Sequence, residues 1–188
     1  YSEEMFDCCV PLEQVKSNGI TIDQWWCLAK CNGADVTLFR YEKTSEEEFR
    51  KYIMESTSSG KFIVVSSFSR AALGQTGDGP FSPIGGYHKE KDLVLLLDVA
   101  RFKYPPYWLA LKDLWKAMAP IDKATGRPRG FFVLRKGKTK PTLLYKLSLS
   151  NKSTSWRKIA MSFINIIPNL IIEHNPKTIE DVVYIKIG

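Results

Sequence analysis

Histidine and cysteine are scarce in this chain: there are 2 histidines and 4 cysteines in 188 residues. Four cysteines in a chain this long do not make a disulfide scaffold, and no pair has the CxxC spacing of zinc ribbons or thioredoxin-like motifs. Cys8 and Cys9 are adjacent and poor partners for each other, so a reducing, cytoplasmic setting fits this usage best. Long apolar runs are missing too, since none reaches the roughly 18 residues expected of a membrane span. The closest, residues 159–172, is interrupted by Ser162, Asn165, Pro168 and Asn169. There is no signal-peptide pattern and no internal repeat. Acidic residues are outnumbered, 20 against 27 basic ones, for a formal charge of +7. The basic excess concentrates in residues 127–158, including Arg135, Lys136, Lys138 and Lys140. It reads as a solvated hairpin tip rather than a nucleic-acid surface. Its GKTK lacks the upstream glycine of a phosphate-binding loop. On this reading no membrane and no nucleic acid is expected as a partner.

What is there is ordinary globular material, 44% hydrophobic and 25% charged. Apolar periodicity and turn residues predict helices over residues 11–17, 21–31, 45–56 and 107–118. They predict strands over 35–40, 61–67, 81–87, 92–97, 130–135 and 142–147. Thr21 or Asp23 is suited to cap the second helix, with Asn32-Gly33 closing it, and Thr44 or Ser45 with Glu47 and Glu48 suits the start of the third. Helices first and antiparallel strands after them indicate an α+β fold.

Residues 75–106 carry the most chemistry. Gly77 and Gly79 mark a turn, residues 81–87 read as a strand in which Pro83 marks an edge or bulge, and residues 88–91 make a polar turn. The next, apolar strand delivers Asp98 just ahead of Arg101 and a Pro-Pro stop. A carboxylate at the end of a buried strand is costly unless something pairs it. Thiol and serine hydrolases use such an aspartate to orient a histidine. The paired strand should carry that histidine near its start, and the residue there is Pro80. His88 sits at the far tip of the hairpin, a strand length away.

The words GPFSPIGGY and LLLDVARFKYPPYW in this stretch resemble the signature of the phytochelatin synthases, papain-like glutathione γ-glutamylcysteinyltransferases, in which the pattern is similar to GHFSPIGGY…LILDVARFKYPPHW. MFDCCVPLEQVKSNGIT, CLAKCNGADVTLFR, EEFRKYI, SFSRAALGQTG, LKDLWKAM, IDKATGRPRGFFVL and LLYKLS extend the resemblance, in order, over residues 1–148. It implies a papain-like fold, incomplete here because the segment bearing the nucleophilic cysteine is expected ahead of Tyr1. Residues 1–148 would then be the C-terminal portion of the catalytic domain. Residues 149–188 would open the family's variable C-terminal region, cut short.

The implied reaction is a thiol acyl transfer through a Cys-His-Asp triad. A thiolate attacks the Cys–Gly amide of glutathione, glycine leaves, and the γ-Glu-Cys group passes to glutathione or a phytochelatin. The resemblance places Asp98 as the catalytic aspartate and Pro80 at the histidine position, and matches none of the four cysteines to the nucleophile. Proline has neither an ionisable group nor a backbone N–H, so this chain is expected to be inactive alone. One alternative is a degenerate, non-enzymatic thiol-, metal- or glutathione-binding homologue. Another is a peptidase that only releases glycine from glutathione or its conjugates.

By the same resemblance Arg70, Gly79 and Arg129 line the γ-glutamyl pocket, where guanidinium groups would grip a carboxylate. Ser67 matches an asparagine of bacterial relatives, and Arg101 is expected to help order the site. Glutathione, phytochelatins and heavy-metal ions such as Cd(II) or Zn(II) are the implied partners, the metal acting largely as a thiolate complex of the substrate. No organic cofactor is implied, and a homodimer is allowed. Cys8, Cys9, Cys27 and Cys31 are the candidate soft-metal ligands of the chain itself.

Overall fold

The computed structural model describes residues 9–77, 79–138, 165–175 and 177. The chain divides into two compact units, Tyr1–Tyr145 and Lys146–Gly188. In the second, the described element is a helix at Ile167–His174, which opens with Pro168 in its first turn and ends at Asn175 in the left-handed region. No helix among the described residues is long and apolar enough to cross a membrane.

The first unit opens with two helices, α1 (Leu12–Asn18) and α2 (Ile22–Cys31). The N-terminus of α2 is set by Thr21, whose hydroxyl accepts from the Gln24 N–H while the Gln24 side chain accepts from the Thr21 N–H. Strand β1 (Ala34–Arg40) follows. It is tied back to α2 by Arg40, which is 7% exposed and donates to both Asp23 oxygens at 2.7 Å. Helix α3 (Glu46–Ser59) begins at Ser45, whose hydroxyl caps the Glu48 N–H, and carries three glutamates in its first turn where the helix dipole favours them. It stops at Gly60 in the left-handed region.

Strands β2 (Ile63–Ser67), β3 (Phe81–His88), β4 (Leu93–Leu96) and β5 (Tyr107–Ala110) follow, then helix α4 (Leu111–Met118). A two-residue ladder joins β6 (Ile121–Asp122) to β7 (Arg127–Pro128), and β8 (Gly130–Lys136) ends the described part of this unit. The main sheet is antiparallel throughout, in the order β1-β8-β2-β3-β4-β5.

Alternation along β2 and β8 divides the apolar residues between two faces. Val64, Phe131 and Val133 join Phe49 and Ile53 of α3 and Leu111, Leu114, Trp115 and Met118 of α4 in the larger core. Val65 and Phe132 join Ile22, Val36 and the Trp25 ring in a smaller one. The sheet is thus covered by α3 and α4 on one face and by α2 on the other. Asp92 pins α3 to the β3–β4 turn: it accepts from Arg50 at 3.0 and 2.9 Å and from the Tyr87 hydroxyl at 2.7 Å.

The mixed α+β class is the one the sequence indicates. Three details correct the sequence reading. The helix expected over residues 107–118 begins only at Leu111, because Tyr107–Ala110 pairs with β4 as an edge strand, as its aromatic residues favour. Pro83 is not on an edge: β3 lies between β2 and β4, and the irregularity falls just beyond it, between Ile84 and Gly86. The described cysteines do not stand as free thiols: Cys9 and Cys27 are joined in a disulfide, their Cα atoms 6.1 Å apart. Cys31 is disulfide-bonded as well. Cys8, the strand expected at 142–147 and most of the basic run lie outside the described residues.

Candidate active site

Register brings the start of β3 and the end of β2 to one edge of the sheet. Ser67, the last residue of β2, stands opposite Phe81 on one side and Gly130 on the other. The residues just before these partners, Pro80 and Arg129, are therefore neighbours of the chain leaving β2. The Gly79 backbone fits there because it has no side chain. A Cβ would lie 2.9 Å from both Arg129 Nε and the Phe68 carbonyl oxygen. Gly79→Ala is accordingly expected to push Arg129 aside and to cost about 1–3 kcal/mol, measurable by thermal unfolding. Arg129 is held on its far side, donating to the Pro120 carbonyl at 3.0 Å and lying 3.5 Å from Asp122. Pro80 itself is buried.

The end of β4 reaches the same edge. The Leu97 N–H donates to the Pro83 carbonyl at 2.9 Å, and the Val99 N–H to the Ser82 hydroxyl at 3.4 Å. Between them Asp98 turns inward, its side chain 0% exposed. The pairing that such a carboxylate needs comes from Arg70, 4% exposed. Arg70 Nη2 donates to Oδ1 at 2.6 Å and Nη1 to Oδ2 at 2.8 Å, and the Ala100 N–H adds a bond to Oδ1 at 2.9 Å.

Arg70 also donates to Gln75 Oε1 at 3.0 Å, and the Gln75 amide donates to the Tyr107 hydroxyl at 2.9 Å. Its guanidinium stacks 4.7 Å from the centre of the Tyr104 ring. The Tyr104 hydroxyl in turn accepts from the Thr76 N–H at 2.9 Å. The Arg70 guanidinium thus faces the buried aspartate.

Burial pushes the Asp98 carboxyl up, but the hydrogen bonds from Arg70 and the Ala100 N–H, with the Arg70 charge, outweigh it and hold the group below the usual carboxylate range. Asp92 is held low as well, chiefly by its hydrogen bonds from Arg50. A carboxyl whose folded-state pKa is depressed contributes stability fully above its unfolded value and loses it as pH falls through the folded one. Urea midpoints are therefore expected to hold at neutral pH and to fall steadily below about pH 4. Asp98→Asn should flatten that fall.

The structure thus brings together Ser67, Gly79, Pro80 and Arg129 on one side and Arg70 with Asp98 on the other, joined by the start of β3. It leaves out Arg101, which is exposed and makes no ion pair among the described residues. It leaves out His88, which packs edge-on against Trp108 at the other end of the hairpin. Of the described cysteines, Cys27 and Cys31 lie on α2 and Cys9 in the chain entering α1. Among the described residues no cluster suits a metal ion, and sulfurs already joined to each other offer no thiolate to one. A groove of about 810 Å³ between α3 and the tip of the hairpin is lined by Met54, Tyr87 and Trp108 with charged neighbours, and by none of the expected site residues. Gln75, Tyr104, Tyr107 and the Ala100 N–H were missed by sequence reasoning. The signal was partly present: Gln75, Ala100 and Tyr104 lie inside the stretch 75–106 that flanks the aspartate, and Tyr107 directly follows it.

A covered antiparallel sheet presenting a buried, ion-paired aspartate beside the entrance of its partner strand defines a class: α+β domains built around a positioned carboxylate. Within that class the comparison with known proteins is specific. A family model described as phytochelatin synthase matches residues 1–131, and the chain belongs to the phytochelatin synthase family. It is 46% identical over 179 residues to glutathione gamma-glutamylcysteinyltransferase 1 of Lotus japonicus, covering 95% of this chain and 35% of that protein. It is 44% identical over 183 residues to glutathione gamma-glutamylcysteinyltransferase 1 of Arabidopsis thaliana, covering 97% of this chain and 37% of that one. With the glutathione gamma-glutamylcysteinyltransferase of Schizosaccharomyces pombe it shares 41% over 160 residues, 85% of this chain and 38% of the relative. The chain therefore spans little more than a third of the length of the curated relatives it matches.

Proposed function

We propose that the chain is part of a papain-like glutathione γ-glutamylcysteinyltransferase and retains the carboxylate arm of a thiol acyl-transfer site whose base has been lost. The observation that carries this reading is the sheet edge itself. Asp98 is buried, ionised and oriented beside the start of β3, where the residue it would orient is Pro80. In the proposed reaction a cysteine thiolate adds to the carbonyl of the Cys–Gly amide of glutathione. The C–N bond breaks as glycine leaves with a proton delivered to its nitrogen. The resulting γ-Glu-Cys thioester is taken by the amine of a second glutathione or a phytochelatin. The imidazole that would carry the proton in both halves has no counterpart in a pyrrolidine ring. Arg129, with the Gly79 backbone against it, would hold the glutamyl carboxylate in this reading. Cd(II) or Zn(II) enters as a thiolate complex of glutathione, as part of the substrate.

Binding without turnover follows. Titration calorimetry with glutathione is expected to show a saturable site weakened by Arg129→Met. Incubation with glutathione and Cd(II) is expected to release no glycine and form no phytochelatin. Phytochelatin production with Pro80 intact would overturn the loss of the base. Absence of any glutathione site would instead favour a homologue with another role.

A further inference from the structure

We propose that Arg70 is the positioning residue for Asp98, clamping the carboxylate through both of its oxygens and tying together the two loops that frame the site; this rests on the acyl-transfer reading only for its catalytic consequence. Substrate binding is the role its family position suggests, and the geometry argues against it. Arg70 is 4% exposed, and its two terminal nitrogens are directed at Asp98 and Gln75. A substrate carboxylate could reach them only by displacing Asp98, which would leave that buried charge without its counterion.

The clamp does three things at once. It supplies two parallel N–H···O bonds, which fix the plane of the carboxylate as well as its charge. It fills the acceptor sites that would otherwise let Asp98 rotate. Counting the Ala100 N–H, three donors meet a carboxylate with about four acceptor sites, and the Tyr107 hydroxyl, itself held by Gln75, hydrogen-bonds Asp98 as well. It also joins the loop after β2 to the loop after β4 through Gln75–Tyr107, the Tyr104 ring and Thr76–Tyr104. Position 80 follows the first of these loops and Asp98 opens the second, so the clamp fixes the distance between the histidine position and its carboxylate. Because Arg70 and not a histidine neutralises Asp98, the carboxylate can stay folded in place in a chain that has proline at position 80.

The test follows the Asp98 carboxyl by ¹³C NMR titration in the whole chain, beside Arg70→Lys and Arg70→Gln, with Tyr104, Tyr107 and Lys103 as the other titrating groups near the clamp. Both variants are expected to move the Asp98 midpoint upward, Gln more than Lys, because Lys keeps a charge but not the fork. Glutathione affinity measured on the same samples should change by less than about threefold, the size of effect expected away from a binding contact. An unmoved Asp98 midpoint in Arg70→Gln overturns the proposal. So does a tenfold or greater loss of glutathione affinity in Arg70→Lys with the midpoint unchanged, which would return Arg70 to the pocket. If Arg70→Gln does not fold, Arg70→Lys decides alone. In a Pro80→His background, carried in a longer chain that also supplies the nucleophilic cysteine and turns over glutathione, Arg70→Lys should lower kcat by about 100-fold with KM unchanged. A purely structural role would not divide kcat from KM in this way. Failure of that background to turn over, with the Asp98 shift as expected, counts against the acyl-transfer reading and leaves the clamp standing.

Discussion

Asp98→Asn is expected to cost the folded domain about 3–5 kcal/mol, the penalty of leaving one member of a buried ion pair without the other. Asparagine keeps the shape and can still accept from Arg70, but the guanidinium, 4% exposed, loses its counterion. Water is not there to replace it. Urea denaturation at pH 7 measures the loss. The double variant Arg70→Met/Asp98→Leu should recover most of it, since apolar groups of similar volume often replace a buried pair at little cost. The pair contributes less to net stability than it costs to break, and the double variant is the measurement that separates the two. A single Asp98→Asn loss below about 1 kcal/mol would mean that solvent reaches the pair, because exposed ion pairs contribute no more than that.

Pro80→His, placed in a chain that also supplies the nucleophilic cysteine, is expected to raise glycine release from glutathione on the order of 100- to 10,000-fold, the range a general base contributes. The scaffold for it is already present. Position 80 is next to β3, the Ser82 hydroxyl holds the Asp98 loop against that strand, and Asp98 is already ionised. Around Asp98 only the imidazole has to be added, the nucleophile coming from the supplied segment. Free glycine measured against time, with pH varied, gives a second readout: the Pro80→His variant should show an ionisation in the histidine range that the Pro80 chain lacks. A folded Pro80→His variant that released no glycine would place the defect elsewhere than at position 80.

The local elements were legible where a cap or a period announced them. Thr21 and Ser45 cap helix starts as their residue types indicate, whereas α3 runs on to Ser59 and stops at Gly60, beyond the end expected at 56. The strands expected at 35–40, 61–67 and 92–97 follow from short β-branched and apolar runs, and the structure has them at Ala34–Arg40, Ile63–Ser67 and Leu93–Leu96. What could not be read locally was partnership across the sheet. Tyr107–Ala110 belongs to the same apolar run as α4, and only pairing with β4 makes it a strand. The burial cost of Asp98 was visible in the sequence, since a carboxylate ending an apolar strand needs a counterion. Its identity was not, because Arg70 lies on another loop and its family position pointed toward substrate. The disulfide was hidden for a similar reason: spacing alone did not show that the chain entering α1 folds back onto α2.

The sheet order has a consequence for how this chain is made. Strand β8 lies between β1 and β2, so the first and second strands cannot join until nearly all of the described sheet has left the ribosome. Until Gly130–Lys136 arrives, β1 and the outer side of β2 both present unpaired backbone. Such open edges invite pairing with other chains. Contacts between such distant parts of a chain also close slowly. A nascent chain stopped anywhere short of residue 136 is therefore an aggregation hazard rather than a smaller folded domain, and chaperone dependence during synthesis should end only when β8 is inserted.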